Sequence, residues 1–464
     1  MLISKHSNII ILIIFILIFI LFNILWIIFD PLSGGFQFIF LLDGIFNLTI
    51  RLGIDAISFF FMYLTALLIP LCLLFSFISR TTINEKSNNS MLIFVIGVLL
   101  LLVFFVLDFL LFYISFEVIL VPFFVYIGVS GYRARRIHAA YLFFFYTLVG
   151  SFFTLIAIFF FYIHVGTTDI EILYNTEYIG NRGYLLWVAL FFTFAVKVPM
   201  FPFHIWSPEA HVEAPTEGSV LLAGLLLKLG TYGFLRFLFP LLSSYNLYFA
   251  PFVVTLSSIG IIYTSFSTLR QIDIKRIIAY SSIAHMNMCM VGLFSYNYVA
   301  FTGSVFLMIA HGVVSGGLFF VIGMIYSRYR TKIIYYFSGL IHFMPLLSFF
   351  FFMLILGNIG MPGTSNFVGE LLILCGIMYS GNSIAMIGAV IGIFLCTIYS
   401  MWMYNKVTFL LPKFYYLVVP DLFFFEIIIL IPLVLLMLFF GVFPIYLLNI
   451  LDYNMHYNFF ELFN

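Results

Sequence analysis

Two lysines stand in apolar surroundings in one stretch of this sequence, residues 195–230. Lys197 lies in FFTFAVKVP and Lys228 in LAGLLLKLGTYG, in a chain of which only 8% is charged. A charged side chain at membrane depth costs roughly 2.5–3.5 kcal/mol on insertion scales, so its presence indicates a function. Pro199 and Pro202 interrupt the helix beside Lys197, and a bilayer tolerates non-helical backbone only where protein or water covers it. We interpret this stretch as part of an ion path through a membrane.

Two glutamates and two histidines also lie inside apolar runs: Glu117 in DFLLFYISFEVILVPFF, Glu370 in NFVGELLIL, His285 in IAYSSIAHMNM and His311 in FLMIAHGVV. Burial destabilises the charged form of a lysine or a glutamate, and an opposite charge nearby stabilises it. A Glu117–Lys197 pair would therefore be a switch, in which the lysine keeps its proton only while the acid is near. Lys228 offers a second site for that proton. The histidines are candidate relay groups, because imidazole titrates near neutral pH.

A structural interpretation of the same residues is the alternative. Glu117 and Lys197 would then form a static ion pair, and each histidine would be a hydrogen-bonded packing residue. Lys228 and Glu370 would extend their charged ends toward the membrane surface. Lys228 argues against this alternative, because it lies well inside its apolar segment and its side chain cannot easily extend to either end.

The remaining polar residues give weaker signals. Several acids and histidines lie near the ends of apolar segments and are predicted to be interfacial: Asp55, Asp108, His204, Glu209, His211, Glu213 and Glu217. The alternative is that His204 to Glu217 line an access route. The segments 133–136 and 273–276 are predicted to be solvated loops. The four cysteines are scattered without a CxxC motif or metal-ligand spacing, so we interpret them as packing residues and predict no metal site.

The composition excludes a soluble protein. Of 464 residues 64% are hydrophobic, the mean hydropathy is +1.22, and 19 basic side chains face 18 acidic ones. A transmembrane helix needs only about 20 apolar residues. The near-neutral charge gives no indication of nucleic acid as a partner. Phenylalanine, at 64 residues, indicates an AT-rich and hence organellar genome.

Hydrophobic runs of suitable length recur along the whole chain. They predict an all-α polytopic membrane protein with about thirteen spans. The predicted spans are 9–29, 55–78, 91–107, 109–129, 139–164, 184–205, 215–238, 250–270, 275–294, 299–326, 345–376, 383–405 and 423–448.

The distribution of basic residues supports this division. Connections after odd-numbered spans hold only Arg51, Arg182 and Arg236. Lys5 precedes the first span, and the connections after even-numbered spans hold thirteen basic residues: Arg80, Lys86, Arg133, Arg135, Arg136, Arg270, Lys275, Arg276, Arg328, Arg330, Lys332, Lys406 and Lys413. Because loops on the negative side of a membrane are enriched in Lys and Arg, the amino terminus is predicted on the matrix or cytoplasmic side.

Two spans are interrupted in comparable places, at KVPMFPFH (197–204) and GNIGMPGTSN (357–366). Each is the fourth member of a run of five spans, and because five is odd the second run is inverted relative to the first. Interrupted helices at matching places in two halves indicate an ion site; two unrelated proline kinks are the alternative. We predict two inverted five-helix repeats, within the division 1–90, 91–238, 250–410 and 411–464.

Five segments carry a resemblance to a known family: FEVILVPFFVYIGVSGY, AVKVPMFPFHIWSPEAHVEAPTEGSVLLAGLLLKLGTYGFLRF, DIKRIIAYSSIAHM, MIAHGVVSGGLFF and GMPGTSNFVGELLIL. The chain resembles the antiporter-like subunits of respiratory NADH:quinone oxidoreductase, complex I, and among them the M type. The resemblance implies that Glu117 and Lys197 are the family's pair and Lys228 its central lysine. It also implies that His285 and His311 are relay histidines and that Glu370 is the terminal carboxylate, where L- and N-type relatives carry lysine. The family has fourteen helices, and residues 9–29 align with its second.

The resemblance implies a proton-translocating subunit in the mitochondrial inner membrane, with a bacterial inner membrane or a thylakoid less favoured. Quinone reduction elsewhere in complex I would supply the energy. No flavin, iron–sulfur or nucleotide motif is recognisable, so those cofactors are expected in partner subunits. The expected neighbours are L-type and N-type subunits and membrane lipids, without nucleic acid. The alternatives are an Mrp-type cation/proton antiporter subunit and a structural membrane spacer.

The predicted topology places the two termini on opposite sides, because the number of spans is odd. A tag at the amino terminus should be cleaved by protease only from the matrix or cytoplasmic side, and a tag at the carboxyl terminus only from the other. Protease protection in sealed vesicles of both orientations measures this. Cleavage of both tags from one side would show that a span was missed.

Overall fold

The computed structural model describes residues 2–32, 35–43, 49–78, 83–131, 133–176, 178, 180–409, 411 and 419–451. Its first half contains the helices α1 (Leu2–Ile28), α2 (Ala56–Ile78), α3 (Ile83–Phe105), α4 (Phe109–Val118), α5 (Leu120–Ser130), α6 (Arg136–Val165), α7 (Ile170–Tyr174), α8 (Asn181–Lys197), α9 (Trp206–Glu213), α10 (Thr216–Leu221), α11 (Leu227–Gly233) and α12 (Phe239–Leu241). The second half contains α13 (Ser243–Leu269), α14 (Ile274–Leu293), α15 (Tyr298–Tyr329), α16 (Leu340–Phe343), α17 (Pro345–Ile359), α18 (Ser365–Ser380), α19 (Ser383–Thr408) and α20 (Phe424–Val442).

The described helices confirm ten of the thirteen predicted spans. Ten of them, counting α4 with α5 and α10 to α12 as one each, are long and apolar enough to cross a membrane by length and composition. The other three predicted spans correspond to α8, to α14 and to the pair α17 and α18. Arg80 and Lys413 lie outside the described residues, as do the side chains of Lys5 and Lys86 and the tail 452–464.

The two predicted interruptions are confirmed. In the first run of five spans α8 ends at Lys197 and α9 begins at Trp206, since Pro199 and Pro202 cannot donate backbone hydrogen bonds. In the second run α17 ends at Ile359, where Gly360 caps the helix in a left-handed conformation with φ 75°. The division into segments 1–90, 91–238, 250–410 and 411–464 stays a prediction.

Two helices form the centre of the bundle. The most apolar stretches of α15 and of the continuous helix 216–241 are completely buried. In α2, which packs against both helices, 89% of the residues in that stretch are buried. By contrast, only 17% of the residues in the most apolar stretch of α1 are buried. Lys228 and His311 lie in the two enclosed helices, so their side chains are screened from lipid by the surrounding spans.

A short β-hairpin lies between α1 and α2, where the sequence predicts no element. Its strands β1 (Gln37–Asp43) and β2 (Thr49–Ile54) pair antiparallel. Asp55 follows β2 directly and makes two hydrogen bonds of 2.9 and 3.0 Å with the Arg236 guanidinium, which also lies 4.7 Å from the Phe36 ring. Both charged side chains are buried. Asp55 is thus enclosed by protein against Arg236, and its predicted position at the membrane interface stays a prediction.

Removing the carboxylate of this buried pair should destabilise the subunit. Asp55→Asn would leave the Arg236 charge unpaired, which costs about 3–5 kcal/mol in a buried site. The control is Glu171→Gln, since Glu171 is 45% exposed and 3.6 Å from Arg51, where about 1 kcal/mol or less is expected. Thermal unfolding of the purified protein, measured as the midpoint temperature of each variant, compares the two. Equal stability of both variants would contradict a structural role of the pair.

Candidate functional site

Lys228 is buried at the start of a short α-helical segment. It lies in α11, between two π-helical segments, Leu222–Leu226 and Phe234–Leu238, of one continuous helix. Such wide turns occur frequently at functional sites. Its Nζ donates to the carbonyl of Ala223 and lies 2.8 Å from Nδ1 of His311. Within the described part of the chain no carboxylate pairs with this ammonium.

The polar contact continues from His311 across two more helices. The rings of His311 and His285 are 5.4 Å apart between centroids, and Nδ1 of His285 is 3.3 Å from Oε1 of Glu370. All four side chains are buried. The structure thus brings four of the six predicted site residues into one row, on α11, α15, α14 and α18.

Two contacts in this row, Lys228–His311 and His285–Glu370, can each hold a proton in either of two positions. A lysine ammonium has only donors, so Nδ1 of His311 must accept when Lys228 is charged, and the ring proton is then on Nε2. When Lys228 is neutral, its nitrogen can accept and His311 can donate. The pair of His285 and Glu370 has the same reversible character. The row therefore consists of two pairs that can each share a proton, with the two imidazole rings 5.4 Å apart between centroids.

The Glu117 and Lys197 side chains do not form a contact ion pair. The Lys197 ammonium lies 3.9 Å from the centre of the Phe116 ring and, like Oε1 of Glu117, lacks a hydrogen-bond partner among the described residues. The two charges still act on each other electrostatically, and Glu117 also lies near Ser151. Lys197 is buried, whereas Glu117 is half-buried. This arrangement contradicts a direct ion pair between the two side chains.

Gly230 brings the helix of Lys228 against Lys197. A Cβ atom at Gly230 would lie 3.0 Å from the Lys197 Cβ and 2.8 Å from the backbone nitrogen of Val198. Both separations are shorter than ordinary carbon contacts. Only glycine permits this approach, which places the end of α8 next to α11.

The break between α17 and α18 holds Glu370 in place. A Cβ atom at Gly360 would lie 2.5 Å from Oε2 of Glu370, so the carboxylate occupies the space that the glycine leaves open. Glu370 begins the second turn of α18, and its other oxygen faces His285. The interruption therefore positions one end of the polar row.

A second buried polar cluster was missed by the sequence analysis. Lys275 and Lys332 are fully buried, and their ammonium groups donate to the carbonyls of Ala214 (3.0 Å) and Val212 (2.6 Å). Carbonyls at the carboxyl end of a helix, here α9, favour cations. The prediction that Lys275 belongs to a solvated loop is wrong, because the first turn of α14 lies beneath α9. Only tertiary packing shows this, since the local sequence reads as a basic loop.

Acidic and imidazole side chains complete this cluster. Glu213 and Glu217 are buried within electrostatic reach of Lys275, and His211 stacks on Phe319 at 5.1 Å. Burial lowers the pKa of Lys332 to about 8, and Glu213 opposes that change. Glu209 is instead paired with Arg276 at 2.6 Å in a half-exposed position. Whether these side chains lie at the membrane interface or line an access route stays a prediction.

The fold is a bundle of membrane spans with two interrupted helices, and it encloses a buried row of lysine, histidine and glutamate side chains. These features are typical of an antiporter-like membrane subunit. The family profile described as NADH:quinone oxidoreductase/Mrp antiporter, transmembrane, matches residues 106–396. NADH-ubiquinone oxidoreductase chain 4 of Marchantia polymorpha is 48% identical over 423 residues, covering 90% of this chain and 85% of its own. The Arabidopsis thaliana protein of the same name is 50% identical, over 83% and 77%. This chain belongs to the NADH-ubiquinone oxidoreductase chain 4 family.

Solved structures agree in fold. A chain of respiratory complex I from Thermus thermophilus is 27% identical with a TM-score of 0.87, over 95% of this chain and 92% of its own. A chain of the Mrp complex from Dietzia sp. is 17% identical with a TM-score of 0.84, over 96% and 92%, a likeness of fold alone. The sequence matches therefore favour the complex I subunit over the Mrp-type alternative.

The separation of Glu117 and Lys197 predicts coupling without contact. Glu117→Gln should impair proton-coupled turnover severely, while Glu117→Asp, which keeps the charge, should be milder. The double variant Glu117→Gln/Lys197→Met should lose less assembled complex than the sum of the losses in the two single variants. The corresponding interaction free energy between the two residues is roughly 0.5–3 kcal/mol. The measurement is the thermal stability of the complex for all four proteins of the cycle. Strictly additive losses would show that the two charges do not interact.

Proposed function

We infer that this chain, as a membrane subunit of NADH-ubiquinone oxidoreductase, carries protons along the row Lys228, His311, His285 and Glu370. The observation that carries this inference is the 2.8 Å contact between Lys228 and His311 inside two completely buried helices. A lysine that served only packing would be costly there, since no carboxylate of the described residues pairs with it. A group that gains and loses a proton explains why an ionisable side chain occupies this place.

Glu117 and Lys197 act as the switch that drives the row. When Glu117 approaches, Lys197 holds its proton, and when the acid withdraws, the proton is released toward the neighbouring Lys228. The half-buried position of Glu117 at the side of the bundle makes it accessible to a neighbouring subunit. Energy from quinone reduction elsewhere in the complex thereby reaches this chain as a change in distance between two charges.

Protons reach the row through the second buried cluster, on the side where basic loops concentrate. Lys332, with a pKa of about 8, exchanges protons near neutral pH, and His211 lies within electrostatic reach of both Lys275 and Lys228. In this proposal that side is the matrix, and the amino terminus also faces it. The charge bias of the connecting loops supports the orientation.

The chain works beside other subunits of the complex. L-type and N-type antiporter-like subunits are the proposed neighbours, together with membrane lipids on the exposed spans. Flavin and iron–sulfur clusters belong to partner subunits in this proposal, and the present chain takes no part in electron transfer. The plant, algal and amoebal relatives support the mitochondrial inner membrane as its location.

Co-purification distinguishes this function from its nearest alternative. A tagged chain should bring down iron–sulfur subunits and NADH–quinone activity. Recovery with cation/proton antiporter subunits alone, and without electron-transfer subunits, would overturn the assignment.

Lys228→Ala should leave the complex assembled and remove most of its proton-coupled turnover. The truncation deletes the basic group at one end of the row, so protons cannot pass between the two halves of the bundle. NADH–quinone turnover and vesicle acidification are measured on the same preparation, with Arg135→Ala in an exposed turn as the control. Normal acidification by assembled Lys228→Ala complex would end the proposal.

A further inference from the structure

A small cavity lies beside the His285–Glu370 end of the polar row. It has a volume of about 20 Å³ and is lined by His285, Glu370, Cys396 and Tyr399, with small and apolar residues of α13, α14 and α19 forming its walls. One water needs roughly 10–15 Å³ of such space. The cavity is therefore large enough for a single water molecule.

One polar group at this cavity makes no well-formed hydrogen bond within the described part of the chain. The Tyr399 hydroxyl is buried, yet it has no hydrogen-bond partner among the described residues, although Ser281, Cys396 and Glu370 are close to it. Most buried polar side-chain atoms are hydrogen-bonded, so an unpartnered one requires an explanation. Ser281 already donates to the carbonyl of Ile278 at 2.8 Å.

The thiol of Cys396 closes one side of the same space. Its sulfur lies 3.7 Å from Nε2 of His285 and 3.4 Å from the carbonyl of Asn358. His285 thus has Glu370 at one ring nitrogen and a thiol at the other. A thiol is a weak hydrogen-bond partner, so Cys396 limits the size of the cavity more than it satisfies Tyr399.

We propose that this cavity binds one water, held by the Tyr399 hydroxyl and the Glu370 carboxylate, and that Tyr399 is a positioning residue for the His285–Glu370 pair. A buried water requires two to four polar partners, and the Tyr399 hydroxyl and the Glu370 carboxylate supply two. The water gives Glu370 a hydrogen bond that does not depend on His285. The carboxylate then keeps its orientation when the proton moves along the row.

This inference rests on the proposed function of the row, and its test uses the whole complex. Tyr399→Phe keeps the ring and removes only the hydroxyl. Tyr404→Phe is the matched control, because Tyr404 is a buried tyrosine of the same helix whose hydroxyl reaches the carbonyl of Ser348 at 3.4 Å, away from the cavity.

We expect Tyr399→Phe to lower the kcat of proton-coupled NADH–quinone turnover about fivefold, the order expected for one lost hydrogen bond. The KM for quinone should not change, and Tyr404→Phe should stay within about twofold of the wild type. The infrared carboxyl band that Glu370→Gln removes should shift in Tyr399→Phe. A merely structural role of Tyr399 would not move that band.

High-resolution electron microscopy of the wild-type complex gives a second, independent measurement. Density for a water within about 3 Å of the Tyr399 hydroxyl is expected. A cavity without such density, or Tyr399→Phe with wild-type kcat and an unshifted band while Lys228→Ala is inactive, would overturn this inference and leave the proposed function intact. Wild-type acidification by Lys228→Ala as well would overturn both.

Discussion

The main constraint on this structure is the free-energy cost of burying the Lys228 ammonium in an apolar interior. No carboxylate of the described residues offsets that charge, so a backbone carbonyl and the imidazole of His311 must do so. Both contacts depend on the enclosure of two helices, the helix of Lys228 and α15. The structure buries both helices completely. The outer spans serve this enclosure, because a desolvated charge open to lipid would be more expensive still.

The two interrupted helices solve a related problem. The break after α8 leaves Lys197 in the last helical turn, where the carbonyl end of the helix favours a cation. The break after α17 frees the space beside Gly360 that the Glu370 carboxylate occupies. The first break therefore places a buried charge at a helix end, and the second makes room for one.

Sequence reasoning predicted the spans and both breaks, and it singled out six ionisable residues inside apolar runs. Each of these features leaves a local signal: an apolar run, a pair of prolines, or a charge where none is expected. It did not predict which residues touch. Lys228 and His311 are 83 positions apart, and their contact follows from the packing of two helices. Glu117 and Lys197 look like an ion pair in sequence, yet Phe116 lies against the ammonium in the structure.

The sequence by itself determined that this chain spans a membrane, where its helices break and which charged side chains are out of place in lipid, since hydropathy and proline chemistry act over a few residues. Only the tertiary structure decided which charges are truly buried. Lys275, Lys332 and Asp55 read as loop or interfacial residues, and each is enclosed because a distant element folds over it. Burial is a property of the whole packing, and a local sequence window does not contain it.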